Sequence, residues 1–451
     1  MRSDARGIPV SCSDATALEL YERALYAFQT YVGDAVGTIE EAVARRPDFV
    51  LGHAFRAGVL MTFSERRFAA EAARSVAAAE QQLGAANERE RGLVRAARQL
   101  VDGDWSAACA TYDRVLVDYP RDVFALQTAH LFDFYRGDAQ NLRNRVVRVV
   151  DRFSPDVPGY SYVLGMLSFG LEECNQYREA EDAARRALEI EPRDGWAVHA
   201  ATHVMEMQGR IEEGVAWLES RRADWAPGNA FAPHNFWHLA LFYLDRGDVA
   251  RVLEIYDRGV LPGPSDLALQ LLDASALLWR LHLEGAAVGD RWTELADAWE
   301  AKIDAEGGFY AFNDCHALMA LAVTERSSAC ARLLSGLEAA ASGRGLPARM
   351  AREVGLPVAR GLLSFARGRY DDALSALEPV RDLANVFGGS HAQRDLITLT
   401  IVEAALRAGR PSLARHYIAE RNVQRPSSAL GWRLRSRARD DVPRARDARG
   451  S

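Results

Sequence analysis

Residues 100–120 read LVDGDWSAACATYDRVLVDYP, and this stretch decides the fold class. Gly103 and Asp104 interrupt the chain. Apolar residues then recur at the three- and four-residue spacing of an amphipathic helix, which we expect to end at Pro120. Because one such helix cannot bury its apolar face alone, the stretch predicts a helix–turn–helix unit that packs against neighbouring copies.

The glycine break recurs along the chain at repeat spacing. Gly103 and Gly137 are 34 residues apart, which is the length of one tetratricopeptide repeat. Further breaks follow at Gly209, Gly247, Gly368 and Gly409. No segment shows the alternating pattern of a strand. The sequence therefore predicts an all-α protein, a right-handed α-solenoid of tetratricopeptide-like helix–turn–helix repeats.

Three regions are predicted along the chain. Residues 1–19 form an N-terminal segment, and residues 20–432 form a single continuous solenoid. Residues 433–451 are rich in arginine and lack apolar periodicity, so we expect a disordered tail.

Composition excludes several classes of function. The 451 residues are 49% hydrophobic and 26% charged with a net charge of −7, so binding to nucleic acid or an anionic membrane has no electrostatic basis. The five cysteines include no Cys-x-x-Cys pair, and no phosphate-binding loop or nucleophile elbow occurs. No apolar stretch resembles a signal peptide or a membrane span, so we expect a cytoplasmic protein.

Seven motifs, taken together, resemble the tetratricopeptide repeat protein 38 family over roughly residues 20–430. They are FVLGHA (49–54), DVPGYSYVLGMLSFGLEE (156–173), GWAVHAATHVMEMQGR (195–210), HNFWHLALFYLDRGD (234–248), FNDCHALMA (312–320), REVGLPVARGLL (352–363) and GGSHAQRD (388–395). His391 departs from the family, which has asparagine there, so a role for this imidazole is disfavoured. The resemblance implies a helical-repeat fold and no particular reaction.

Four of the ten histidines form two closely spaced pairs. His199, His203 and Glu206 lie on one predicted helix, and His234 and His238 lie on the first helix of the next repeat. Residues four apart share a helix face, so each pair can converge on one point. Imidazole and carboxylate groups suit zinc, iron, manganese or copper, so the four histidines are candidate ligands for such a metal, with Glu206 as a candidate catalytic group.

A helical wheel separates these side chains from the packing positions. At about 100° per residue from the break glycines, all five fall within one arc of about 120°. The packing positions lie elsewhere on the two wheels: Val198, Ala201, Thr202, Met205, Phe236, Leu239, Ala240 and Tyr243. We therefore expect the histidines to line the concave groove.

The motif FNDCHALMA adds further candidates. Asp314 and His316 are candidate catalytic groups, whereas Asn313 and Asn235 are candidate ligand-binding amides. No break glycine fixes the register of this helix, so helix capping by Asn313 or Asp314 with a packed His316 is an equal alternative.

Three functions fit this pattern. The groove binds a metal ion and catalyses a metal-dependent reaction, or it binds a small polar or anionic ligand without a metal. Alternatively, the protein is a non-enzymatic scaffold that holds a partner peptide or helix in its groove, which is the usual role of such repeats. The oligomeric state does not follow from the sequence.

Overall fold

The computed structural model describes residues 2–439, and helices make up most of this range. The helices up to residue 255 are α1 Ala15–Thr30, α2 Ala35–Arg45, α3 Val50–Met61, α4 Arg66–Glu80, α5 Glu88–Val101, α6 Trp105–Asp118, α7 Val123–Tyr135, α8 Ala139–Val147, α9 Tyr160–Glu173, α10 Tyr177–Ile190, α11 Gly195–Met207, α12 Ile211–Ser220, α13 Arg222–Trp225, α14 Ala232–Arg246 and α15 Val249–Ile255. Those that follow are α16 Ala268–Leu283, α17 Arg291–Glu300, α18 Ile303–Glu306, α19 Ala311–Val323, α20 Ser327–Ala341, α21 Leu346–Met350, α22 Leu356–Ala366, α23 Tyr370–Leu377, α24 His391–Arg407, α25 Pro411–Gln424 and α26 Ala429–Arg437.

Short irregular segments interrupt this series. Val150–Arg152 and Glu378–Phe387 are 3₁₀ helices, and Tyr256–Val260 and Ala351–Gly355 are π-helical turns. Between residues 2 and 439 the one sheet pairs two antiparallel strands, β1 Arg2–Ser3 and β2 Pro9–Val10. The predicted all-α tetratricopeptide-like solenoid is therefore confirmed.

The predicted breaks are the turns between paired helices. All six glycines have positive φ, from 65° at Gly137 to 85° at Gly247, which glycine adopts without steric cost. At Gly137 an added Cβ would also lie 1.7 Å from the carbonyl oxygen of Asn385, so the chain approaches too closely there for any side chain. Asn175 and Glu325 take the same left-handed conformation at turns that lack glycine.

The solenoid winds back on itself, so that its later helices contact its earlier ones. The Tyr310 hydroxyl donates to the carbonyl oxygens of Tyr135 and Phe387, at 3.1 and 3.0 Å. The only lysine of the chain, Lys302, forms an ion pair with buried Glu65 at 2.5 Å. These contacts cover the concave face with the chain's own helices.

Two helices cross the predicted boundaries of the solenoid. Helix α1 begins at Ala15, where Asp14 caps it, within the predicted N-terminal segment 1–19. Helix α26 continues to Arg437, past the predicted start of the tail at residue 433. The tail's residues 440–451 lie outside the described range. Among the helices of residues 2–439, none is both long and apolar enough to cross a membrane.

Candidate functional site

Two neighbouring inner helices carry the histidine pairs. Asp194 caps α11 by accepting hydrogen bonds from the backbone N–H groups of Trp196 and Ala197. Gly195 follows, and a Cβ there would lie 2.8 Å from the amide nitrogen of Asn229. The absence of a side chain at residue 195 thus allows the segment before α14 to lie close to the start of α11.

His199 and His203 of α11 meet His234 and His238 of α14, and these four residues are called the histidine cluster. One ring nitrogen from each lies within 4.8 Å of those of the other three. The closest rings, His203 and His238, have centroids 4.4 Å apart, and His199 and His234 are 4.9 Å apart. The structure therefore brings both pairs into one small volume.

Carboxylates lie against the outer nitrogens of three of these rings. His238 Nδ1 is 2.9 Å from Glu206 Oε2, and His234 Nδ1 is 2.7 Å from Asp273 Oδ2. His203 Nδ1 is 3.5 Å from Glu172 Oε2. Because an ionised carboxylate only accepts, His234 and His238 donate through Nδ1 and keep the lone pair on Nε2.

Several ring nitrogens of the cluster have no hydrogen-bond partner. Nδ1 and Nε2 of both His199 and His203, and Nε2 of His238, are buried without a hydrogen bond. Burial lowers the pKa of these three histidines well below the usual value, and the neighbouring imidazoles lower it further. The rings are therefore neutral at physiological pH, which is the form that binds metal ions.

Glu172 and Glu173 form a second acidic group beside His203. Both carboxylate oxygens of Glu172 are buried without a hydrogen bond. Burial raises the pKa of Glu172 well above its usual value, and Glu173 and Glu206 add to this rise. Glu173 instead accepts from the backbone N–H of His391 at 2.9 Å. Glu172 thus lies 3.5 Å from His203 Nδ1 and has no hydrogen-bond partner of its own.

Aromatic rings surround the cluster. Phe169 and Trp196 each lie 5.3 Å from His199, and Phe231 lies 5.0 Å from it. Tyr31, at the end of α1, stacks on both Trp196 and Phe231. These rings separate the imidazoles from solvent.

His199, His203 and His234 open onto a cavity of about 310 Å³, here called the central cavity. Its wall includes residues of the first helices, such as Phe28 of α1, and residues near the end of the chain, such as Gln393 of α24. The wall is complete only because the solenoid winds back on itself.

The structure places Asp314 and His316 outside the histidine cluster. The Asp314 carboxylate accepts from the backbone N–H of Gly308 and lines a different, smaller pocket. Burial raises the pKa of Asp314 to about 7. The carbonyl oxygen of Phe312 lies 2.7 Å from His316 Nδ1.

Of the remaining predicted residues, Asn313 lines the central cavity, whereas Asn235 and Glu206 do not. Asn313 lines the central cavity, and its amide nitrogen donates to the carbonyl oxygen of Ser64. Asn235 donates to the carbonyl oxygen of Gly195 and does not line the cavity. Glu206 accepts a hydrogen bond from His238 Nδ1 and does not line the cavity.

The chain was compared with protein families and with solved structures. No family model matches the chain. Similar solved structures include the APC/C hetero-tetramer Cut9-Hcn1, with 13% identity over 94% of this chain and 76% of that one and a TM-score of 0.42. A human IFIT1 dimer with m7Gppp-AAAA shares 12% identity over 96% of both chains, with a TM-score of 0.44. Yeast Tom70 shares 10% identity over 95% of this chain and 89% of its own, with a TM-score of 0.36. These are tetratricopeptide-type helical repeat proteins.

Proposed function

We propose that this protein binds a divalent first-row transition metal ion through the histidine cluster and uses it to act on a small molecule in the central cavity. The observation that carries this proposal is the group of buried nitrogens on His199, His203 and His238 without a hydrogen bond. Buried polar atoms without partners are costly and uncommon in native proteins. One metal ion would bind one nitrogen from each of these rings.

The carboxylates support the same proposal. Histidines that bind metals usually donate their other ring N–H to a carboxylate or a carbonyl, which fixes the tautomer and the ring orientation. Glu206 and Asp273 hold His238 and His234 in this way, and Glu172 lies in position to hold His203. Each inner nitrogen then presents a lone pair to the centre of the cluster.

The donor set narrows the choice of metal. Four imidazoles would complete the shell of a tetrahedral zinc ion, as in structural zinc sites. An ion that takes six ligands, such as iron(II), would keep positions open, and imidazole ligands suit iron. An open position can polarise a substrate oxygen or activate a bound water. We therefore favour iron(II) among the predicted zinc, iron, manganese and copper.

The scaffold alternative has less support. A partner peptide or helix would need an open concave face, whereas residues of α19 and α24 form part of the cavity wall. A cavity of about 310 Å³ lies in the range of pockets that hold small molecules. We also propose, on the seven sequence motifs, that the chain is a member of the tetratricopeptide repeat protein 38 family. From the sequence we further propose a cytoplasmic location and no nucleic-acid partner.

Metal analysis of protein purified without an affinity tag tests the proposal. We expect about one metal ion per chain in the unmodified protein. The double variant His199→Ala/His234→Ala should lose this metal while its circular dichroism spectrum stays helical. His238→Gln, which keeps a polar side chain, provides a second variant should the double variant fail to fold.

The matched control is His53→Ala/His416→Ala, because neither side chain belongs to the histidine cluster. This variant should retain the metal in full. Equal metal content in both double variants would overturn the proposal. So would an absence of bound metal after the unmodified protein is incubated with iron(II), zinc, manganese or copper.

A further inference from the structure

Among residues 2–439, which the structure describes, no lysine or arginine lines the central cavity, although the chain has 55 of these residues. Among the acidic residues of the wall, Asp273 already accepts from His234. The remainder of the wall is mainly aromatic and aliphatic, and includes Phe28, Phe63, Phe134 and Leu131. A phosphorylated or carboxylated molecule would therefore lose its hydration without gaining a charged partner from the wall.

Several polar atoms of wall residues are buried without a hydrogen bond, among them Oδ1 of Asn313, Oδ1 of Asp273 and Nε1 of Trp196. Asn313 is 8% exposed, and its side-chain oxygen is buried without a hydrogen bond, whereas its nitrogen is held by Ser64. An amide oxygen only accepts, so its partner must be a donor such as a hydroxyl or an amine. The ligand therefore carries at least one N–H or O–H group.

The volume limits the size of the ligand. A dry cavity of about 150 Å³ in another protein holds one benzene ring. The central cavity, at about 310 Å³, has space for about two such rings.

A route into the cavity lies between two loops. Gly33 and Asp34, after α1, are exposed, and so is Leu269 at the start of α16. All three also line the cavity, so this is where its wall reaches the protein surface. Beside them, Val32 is 43% exposed and Leu269 is 36% exposed. The edge of the opening thus presents apolar side chains to an entering molecule.

We propose that the central cavity binds a largely apolar molecule of about two rings that carries no anionic group and bears a hydroxyl or amine group. That this molecule is the substrate held beside the metal rests on the proposed function. The cavity wall alone specifies the ligand's polarity, size and donor group.

Naphthol, naphthalene and naphthyl phosphate are matched probes, and isothermal titration calorimetry measures their binding to metal-free and metal-loaded protein. We expect naphthol to bind both forms and naphthyl phosphate to show no measurable binding to the metal-free form. Asn313→Leu should weaken naphthol by about three- to tenfold and leave naphthalene unchanged. Ala27→Phe, which adds a ring to the cavity wall, should weaken both by about tenfold or more.

Ala85→Phe is the control for Ala27→Phe, because Ala85 is exposed and lies outside the cavity. It should bind naphthol as the unmodified protein does. Binding of naphthyl phosphate but not naphthol by the metal-free protein would overturn the inference, and so would equal naphthol affinity in Ala27→Phe and Ala85→Phe. Binding of naphthol by a protein that takes up no metal would instead support the inference and overturn only the metal site.

Discussion

His130 and His199 are both buried on inner helices, yet their surroundings differ. His130, on α7, has Nδ1 3.1 Å from the carbonyl oxygen of Leu142 and packs near Phe169 and Trp196. His199, on α11, has no hydrogen bond, and its neighbours include three further imidazoles. A histidine that serves packing is held by the backbone. The cluster is held by carboxylates on its outer side and has no partner on its inner side.

The largest expected effect concerns those carboxylates. Glu206→Gln and Asp273→Asn should each weaken metal binding by about 10- to 100-fold, because a neutral amide replaces the carboxylate that orients His238 or His234. Competition with a chelating dye measures the affinity. His130→Gln is the control and should bind metal as the unmodified protein does. An equal loss of affinity in this control would remove the distinction between the two kinds of buried histidine.

The second prediction concerns the opposite face of α14. Ala240 is fully buried on this face, and Ala240→Leu should lower the free energy of unfolding by about 1–3 kcal/mol through overpacking. Urea unfolding measures the change. Ala250→Leu is the matched control, because Ala250 is exposed on α15. Identical unfolding midpoints for the two variants would show that Ala240 does not mark the packing face.

The smallest expected effect is the contribution of His130 to the pH dependence of the free energy of unfolding. Burial lowers the pKa of His130 to about 3, whereas an unfolded histidine has a pKa of about 6.5. Between these values the unfolded state binds the additional proton, so stability is lost as the pH falls below about 6.5. From about pH 7.5 to about pH 5.5 this loss amounts to roughly 1.4 kcal/mol.

His130→Gln should show a correspondingly smaller loss of stability over the same interval. Urea unfolding at the two pH values measures the difference between the variant and the unmodified protein. A pH dependence that is unchanged in the variant would mean that His130 is protonated in the folded protein.

Local signals were sufficient to predict the repeats and the alignment of the two histidine pairs. The break glycines set the turns, and the spacing of four residues set the shared helix face of His199 and His203. The same reasoning could not be applied to Asp314 and His316, because the turn after α19 uses Glu325 in the left-handed conformation and offers no glycine. Without a break glycine, the helical wheel of α19 could not be oriented.

Contacts between distant parts of the chain could not be predicted in this way. Asp273 is 39 residues from His234, and Glu172 belongs to the preceding helix pair. Each lies about one repeat from its histidine, but no local pattern marks which side chain of the neighbouring helix faces the cluster. The winding of the solenoid depends on small rotations accumulated over many repeats, so the cavity wall formed by α1, α19 and α24 left no local pattern.

The hydroxyl of Tyr310 connects the two turns of the solenoid by binding the carbonyl oxygens of Tyr135 and Phe387. Open repeat arrays can evolve by duplicating or deleting a unit, because each unit contacts only its neighbours. Here a duplicated repeat between α9 and α19 would separate Tyr310 from Tyr135 and move Gln393 off the cavity wall. Selection for the cavity therefore acts on the number of repeats as well as on the residues within them.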